Sequence, residues 1–285
     1  MTRRAVHPYL LLAALAWDCN GVTGSNEPAL SLSNVAYGPD PAQVMDVALP
    51  AGRDGRTSVV VLIHGGGWLG GDKSIFTTAN IKALTDQGYA VVNANYRLAS
   101  LATNVHDPLL SDDITAVLDH VDEHAEEYRT AAGRFGLIGH SAGGHLALLA
   151  AFKYNATRRI KAVASMAGPT DLNDPLFLAI PTVRLLIENY LGVTQVLEPA
   201  RWTGASPVSV VTSQAPPTIL LQGMLDPLVP FSQAGSLHER LLELGVTEQY
   251  RLFPLLSHDV GYAFPAGFPE EVWGPIRDWF NRYLR

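Results

Sequence analysis

The sequence predicts an α/β fold with a mostly parallel central sheet and helices on both faces, and three observations lead there. Short apolar runs rich in β-branched residues alternate with stretches whose apolar positions recur at helical spacing. Strand, helix, strand repetition implies parallel pairing, because a parallel connection needs a crossover. Hydrophobic residues make up 47% of the 285 and charged residues 16%, which suits a large buried core and excludes a disordered chain. With no internal repeat and no low-complexity linker, one domain over residues 35–285 is expected.

Taken in order, the chain starts with Arg3 and Arg4 ahead of an apolar run over 9–16 that ends in Ala14-Leu15-Ala16, the small-residue pattern cut by signal peptidase. Residues 1–16 therefore read as a signal peptide and the protein as exported, periplasmic or secreted. Cys19 is the single cysteine, which excludes an internal disulfide and a Cys-rich metal site. Asp18 stands where a lipidation site carries a small residue. Residues 17–34, rich in Gly, Ser and Asn, read as a flexible lead-in.

Buried strands are expected at 59–63, 90–94, 135–138, 162–165 and 218–221, and helices at 75–87, 111–128, 142–154 and 231–244. Residues 171–217 break the alternation, with several prolines around one expected helix at 182–191. That segment reads as a lid or cap insertion, or as an ordinary long connection. A last helix is expected at 271–284. No segment beyond the amino-terminal run has 18 uninterrupted apolar residues, so none is expected to span a membrane. Twenty Lys and Arg against 27 Asp and Glu, without a basic cluster, speak against nucleic acid as a partner.

Gly139-His140-Ser141-Ala142-Gly143 follows one expected strand and opens the next helix, the context in which G-x-S-x-G exposes a nucleophilic serine on a sharp turn. His64-Gly65-Gly66-Gly67-Trp68 ends another strand, and its glycines let backbone N–H groups approach a developing oxyanion. Gly66, Gly67 and the Ala142 N–H are the candidate donors. Trp68 and His140 are candidate substrate contacts, with wall packing as the alternative for Trp68.

A serine hydroxyl needs a base, and the base needs an orienting acid. Asp226 follows the strand at 218–221, with Asp171, also just past a strand, as the rival acid. His238 and His258 are the histidines beyond Asp226, and the loop position of His258 makes it the candidate base, whereas His238 falls within a helix. His120-Val121-Asp122-Glu123-His124 matches a short zinc-protease motif, but the charged helix around it reads as a solvated face. Asp72 and Lys73, close to the glycine loop, read as a surface pair or helix start with a substrate role as the alternative. No metal or organic cofactor is implied.

The sequence resembles an α/β-hydrolase of the esterase/lipase group. The resemblance rests on HGGGW at 64–68, Asn95-Tyr96-Arg97-Leu98, GHSAGGH at 139–145, Ala205-Ser206-Pro207 and LDPLVP at 225–230, in that order. Gly70-Gly71-Asp72-Lys73 and the form of the 225–230 loop resemble bacterial polysaccharide-associated esterases of feruloyl or acetyl-xylan type more than hormone-sensitive lipases. Ser100-Leu101 and Ser257 depart from the common pattern. The resemblance implies a serine carboxylesterase for small to medium acyl or aryl esters, possible polysaccharide-linked ones included, in which Ser141 attacks, His258 transfers the proton and Asp226 orients the imidazole. An arylformamidase-like amidase and a non-catalytic binding protein of the same fold are the alternatives.

Overall fold

A strand whose side chains are all apolar needs cover on both faces. β3 (Val59–Ile63) is such a strand, and in the computed structural model, which describes residues 26–260 and 267–285, it lies inside an eight-stranded sheet. The remaining strands are β1 (Leu30–Ala36), β2 (Val44–Leu49), β4 (Ala90–Ala94), β5 (Phe135–His140), β6 (Ile160–Met166), β7 (Thr218–Gly223) and β8 (Glu248–Phe253). They are ordered β1-β2-β4-β3-β5-β6-β7-β8. From β4 to β8 the pairing is parallel, and β1 and β2 add an antiparallel edge. This is the expected α/β-hydrolase architecture.

Successive side chains of a strand point to opposite faces. Val59, Val61 and Ile63 accordingly join a core with α2 (Leu109–Glu123), α4 (Ala142–Phe152) and α9 (Phe231–Glu243). Val60 and Leu62 join a second core with α1 (Thr78–Thr85) and α10 (Glu270–Tyr283). The sheet is thereby sealed on both sides, and the carboxyl ends of its parallel strands form one edge where loops gather.

Three expectations need correction. Among the described residues the first strand begins at Leu30, inside the expected lead-in: β1 pairs Leu30 with Leu49 and Ser31 with Ala48. Its side chains are mostly exposed, so backbone pairing holds it and no buried alternation marks it in the sequence. The expected helix over 111–128 divides at His124 into α2 and a short α3 (Ala125–Tyr128). The 171–217 segment holds four helices where one was expected: α5 (Pro175–Leu178), α6 (Val183–Leu191), α7 (Pro199–Gly204) and α8 (Pro207–Val210). Pro175, Pro199 and Pro207 start helices here, since a first-turn proline loses no intrahelical hydrogen bond.

The expected signal peptide and Cys19 lie outside the described residues. Among the described residues, no helix is long and apolar enough to cross a membrane.

Candidate active site

The chain leaves β5 at His140 and enters α4 at Ala142, so Ser141 alone makes the turn. It does so at φ 52°, ψ −121°, a strained conformation for a residue with a side chain. Its N–H donates to the Met166 carbonyl of β6 at 2.8 Å, which helps hold the turn. The first N–H groups of α4 have no intrahelical acceptor, and that of Ala142 borders the serine.

The loops after β7 and β8 bring the other two candidates to Ser141. His258 Nε2 lies 2.9 Å from Ser141 Oγ, and His258 Nδ1 lies 2.8 Å from Asp226 Oδ2. Because a carboxylate only accepts, Nδ1 carries the proton, and a neutral ring then offers Nε2 to the serine hydroxyl. Asp226 also accepts from Gln222 Nε2 at 2.9 Å and from the N–H groups of Leu228 and Val229 at 2.8 and 2.9 Å. Burial pushes the Asp226 carboxyl up, but His258 and these amides outweigh it and hold the group below its ordinary value. Asp226 is thus charged and fixed, as the orienting partner of an imidazole must be.

Gly66 and Gly67 face Ser141 across a cleft of about 380 Å³, which they line together with Ala142, Trp68, His140 and His258. Gly66 adopts φ +124°, and a Cβ there would stand 2.1 Å from the Gly70 carbonyl oxygen, so the loop path requires glycine. Among the described residues, neither glycine N–H has a hydrogen-bond acceptor in the protein. Behind the loop, the His64 ring stacks on Tyr96 at 4.3 Å, and the Tyr96 hydroxyl donates to the His64 carbonyl at 2.9 Å.

The two expected substrate contacts line the cleft but face largely into the protein. Trp68, 2% exposed, stacks on Tyr190 and donates its indole N–H to His145 Nδ1 at 3.3 Å, so it is chiefly wall. His140 donates from Nε2 to the His258 carbonyl at 2.7 Å, fastening the His258 loop to the serine turn. Burial, followed by repulsion from His258, pushes the His140 pKa down to about 3, so its ring stays neutral beside His258.

Other candidates fall away from this centre. Asp171 caps its own turn through the Asn173 N–H, and His238 pairs with Glu248 at 2.8 Å. Asp72 caps a 3-10 turn at Lys73–Ile75, and Lys73 pairs with Asp46 at 2.8 Å. Hydrogen bonds from Asn95 and Ser74 outweigh the burial of Asp72 and hold its pKa down to about 2. The His120 and His124 rings stack on each other at 4.1 Å, and His124 Nδ1 donates to the His120 carbonyl. Among the described residues, no group of three or more His, Cys, Asp or Glu side chains is placed to hold a metal.

Some site residues escaped the sequence reading. Phe177, Val183 and Leu186, all from the 171–217 insertion, form an apolar wall of the cleft. Gln222 is the clearest missed signal, a polar residue that follows Ile219, Leu220 and Leu221 in a fully buried strand, four positions before Asp226.

Fold and site together define an α/β-hydrolase with a serine, histidine and aspartate in hydrogen-bond sequence beside a glycine-rich loop. The chain belongs to the BD-FAE family, whose model matches residues 45–241. Esterase LipC of Mycobacterium tuberculosis is 27% identical over 228 residues, covering 73% of this chain and 54% of LipC. The chain spans about half the length of the curated relatives it matches. Esterase B of Lactobacillus rhamnosis, in a tributyrin phosphonate-inhibited form, superposes with a TM-score of 0.70 at 23% identity, covering 89% of this chain and 85% of that one. An acetyl ester-xyloside bifunctional hydrolase from Caldicellulosiruptor lactoaceticus gives a TM-score of 0.69 at 21% identity, covering 85% and 90%.

Proposed function

We propose that the protein is a serine carboxylesterase that works through an acyl-enzyme on Ser141. The observation that carries this reading is the continuous relay from Asp226 through His258 to Ser141 Oγ, open to a cleft bordered by backbone donors. Ser141 Oγ attacks the ester carbonyl carbon as His258 Nε2 takes its proton. The carbonyl oxygen becomes an oxyanion that the N–H groups of Gly66, Gly67 and Ala142 stabilise. Collapse of this intermediate breaks the bond to the alkoxy oxygen, which leaves with the proton from His258. Water then attacks the acyl-enzyme by the same route and releases the acid. Asp226 holds the Nδ1–H tautomer and stabilises the imidazolium formed in each half. Trp68 and His140 act here through the wall and the base loop more than through substrate.

The apolar lining from Phe177, Val183 and Leu186 suits small to medium acyl groups. An ester carried on a carbohydrate is the finer form of the proposal, supported by the name of the xyloside-active neighbour. Export is also part of it and rests on the amino-terminal run ending in Ala14-Leu15-Ala16.

The test is hydrolysis of short and long nitrophenyl esters, methyl ferulate, acetylated xylan and N-formylkynurenine by the wild type and Ser141→Ala. Ester turnover is expected to fall by about 10⁴-fold or more in the variant. Preferential cleavage of the formamide would make the protein an amidase, and no Ser141-dependent turnover of any substrate would refute the catalytic reading.

A further inference from the structure

The 171–217 insertion has the position of a lid, but its contacts tie it to the loop that carries Gly66 and Gly67. Trp68, next in that loop, sits at φ +64°, a left-handed conformation that is rare for a bulky residue and persists only where its surroundings enforce it. The indole is held on its face by the Tyr190 ring of α6, stacked at 4.7 Å and 17°. It is held at its edge by His145 of α4, which accepts the indole N–H.

Both partners are in turn fixed by or within the insertion. His145 Nε2 donates to the carbonyl of Ala205, just past α7, at 2.8 Å. Burial lowers the His145 pKa to about 4, so the ring is neutral and its Nδ1 is free of a proton to accept from Trp68. The Tyr190 hydroxyl donates to buried Asp107 at 2.9 Å, and the Tyr190 carbonyl accepts from the Asp107 N–H at 2.9 Å. Asp107 is itself held by the Ser111 hydroxyl at 2.7 Å. Tyr190 and His145 are fully buried, so this clamp is part of the core.

We infer that the insertion is a fixed strut which presets the oxyanion loop, with Tyr190 as the positioning residue that keeps Trp68, and through it Gly66 and Gly67, in place. The inference rests on the esterase reading above, because it gives the loop a transition-state role. An oxyanion donor displaced by about 1 Å forfeits most of its contribution while ground-state binding is little changed.

The experiment compares Tyr190→Leu and Tyr190→Phe with the wild type, using kcat and KM for nitrophenyl acetate, inhibition by an aryl trifluoromethyl ketone, and Tm. The ketone forms a tetrahedral oxyanion on the serine and so reports on the donors. Tyr190→Leu, which loses the stack, is expected to lower kcat about 10²-fold, weaken the ketone by a similar factor and leave KM within a few-fold. Tyr190→Phe keeps the ring on Trp68 but removes a donor from buried Asp107, so Tm falls while kcat recovers. If kcat merely follows Tm through both variants, or the folded Tyr190→Leu protein keeps wild-type kcat and ketone affinity, the inference is wrong. Hydrogen exchange on the wild type provides a check independent of any variant: amides of 187–191 as protected as those of α4 support a strut, and rapid exchange there, as in an opening lid, overturns it. A wild type without Ser141-dependent turnover overturns the esterase reading first, before any Tyr190 variant is compared.

Discussion

Four donors converge on Asp226, and that makes its charge the residue-scale feature most open to test. Replacing it with Asn preserves volume and leaves the Leu228 and Val229 donors near an amide oxygen, while the amide N–H₂ takes the Oδ2 position that Gln222 and His258 share. The amide N–H₂ then favours the His258 tautomer with the proton on Nε2, which has no lone pair for the serine hydroxyl. Asp226→Asn is expected to lower kcat by about 10³–10⁴-fold with KM little changed. A loss smaller than tenfold on nitrophenyl acetate at pH 8, in protein shown to be folded by circular dichroism, would count against Asp226 as the orienting acid. Ser141 and Asp226 were legible because each sits in a short motif just past a strand, and His258 because the other histidine beyond Asp226 falls within a helix. His140 was legible as a neighbour of the nucleophile but not as a brace, since its partner His258 is 118 positions away and the contact is to a backbone carbonyl. Tyr190 gave no local signal, because its value comes from stacking on a tryptophan elsewhere in the chain.

At the scale of elements, the crossing of α4 over the end of β3 decides how near Ser141 sits to the glycine loop. A Cβ on Gly143 would lie 2.1 Å from the Ile63 carbonyl oxygen and 2.5 Å from that of His64. Backbone on both sides cannot yield as a flexible side chain would, so Gly143→Ala must push α4 away from β3 and Ser141 away from Gly66 and Gly67. A destabilisation of about 3 kcal/mol is expected, with kcat falling even in the folded fraction. Gly55→Ala is the matched control, since no heavy atom lies within 4 Å of its added Cβ, and urea unfolding should place it within about 0.5 kcal/mol of wild type. Equal midpoints for the two variants would remove close packing as the reason for glycine at 143. The central strands could be read from sequence because burial on both faces makes them continuous apolar runs. β1 and the short helices α5, α7 and α8 could not: an exposed edge strand is fixed by its neighbour's backbone, and a four- to six-residue helix is too short to show a period.

For the whole molecule, the two histidines that brace the site from within the core tie its stability to pH. His140 and His145 are buried and neutral, with pKa values lowered from 6.5 to about 3 and about 4, chiefly by burial. On unfolding, both return to the ordinary value. Between about pH 6.5 and pH 4 the unfolded chain therefore binds protons that the native protein refuses, and stability falls as the pH falls. Above pH 6.5 both states are neutral and this contribution is complete. The depressed Asp226 carboxyl acts in the same direction but in a lower window, below the ordinary carboxylate value of 3.8. Each buried histidine contributes a slope of up to about 1.4 kcal/mol per pH unit, so the free energy of unfolding is expected to be roughly 2–4 kcal/mol lower at pH 5 than at pH 7. Urea titrations at the two pH values measure this directly, and the loss should be smaller in His145→Gln, which lacks one of the titrating histidines, while His64 and His120, also lowered chiefly by burial, add to the loss in both proteins. Unfolding midpoints that coincide at pH 5 and pH 7 would mean that the native state accepts these protons, and with them a charged ring between Trp68 and Ala205 that the clamp leaves no room to hydrate.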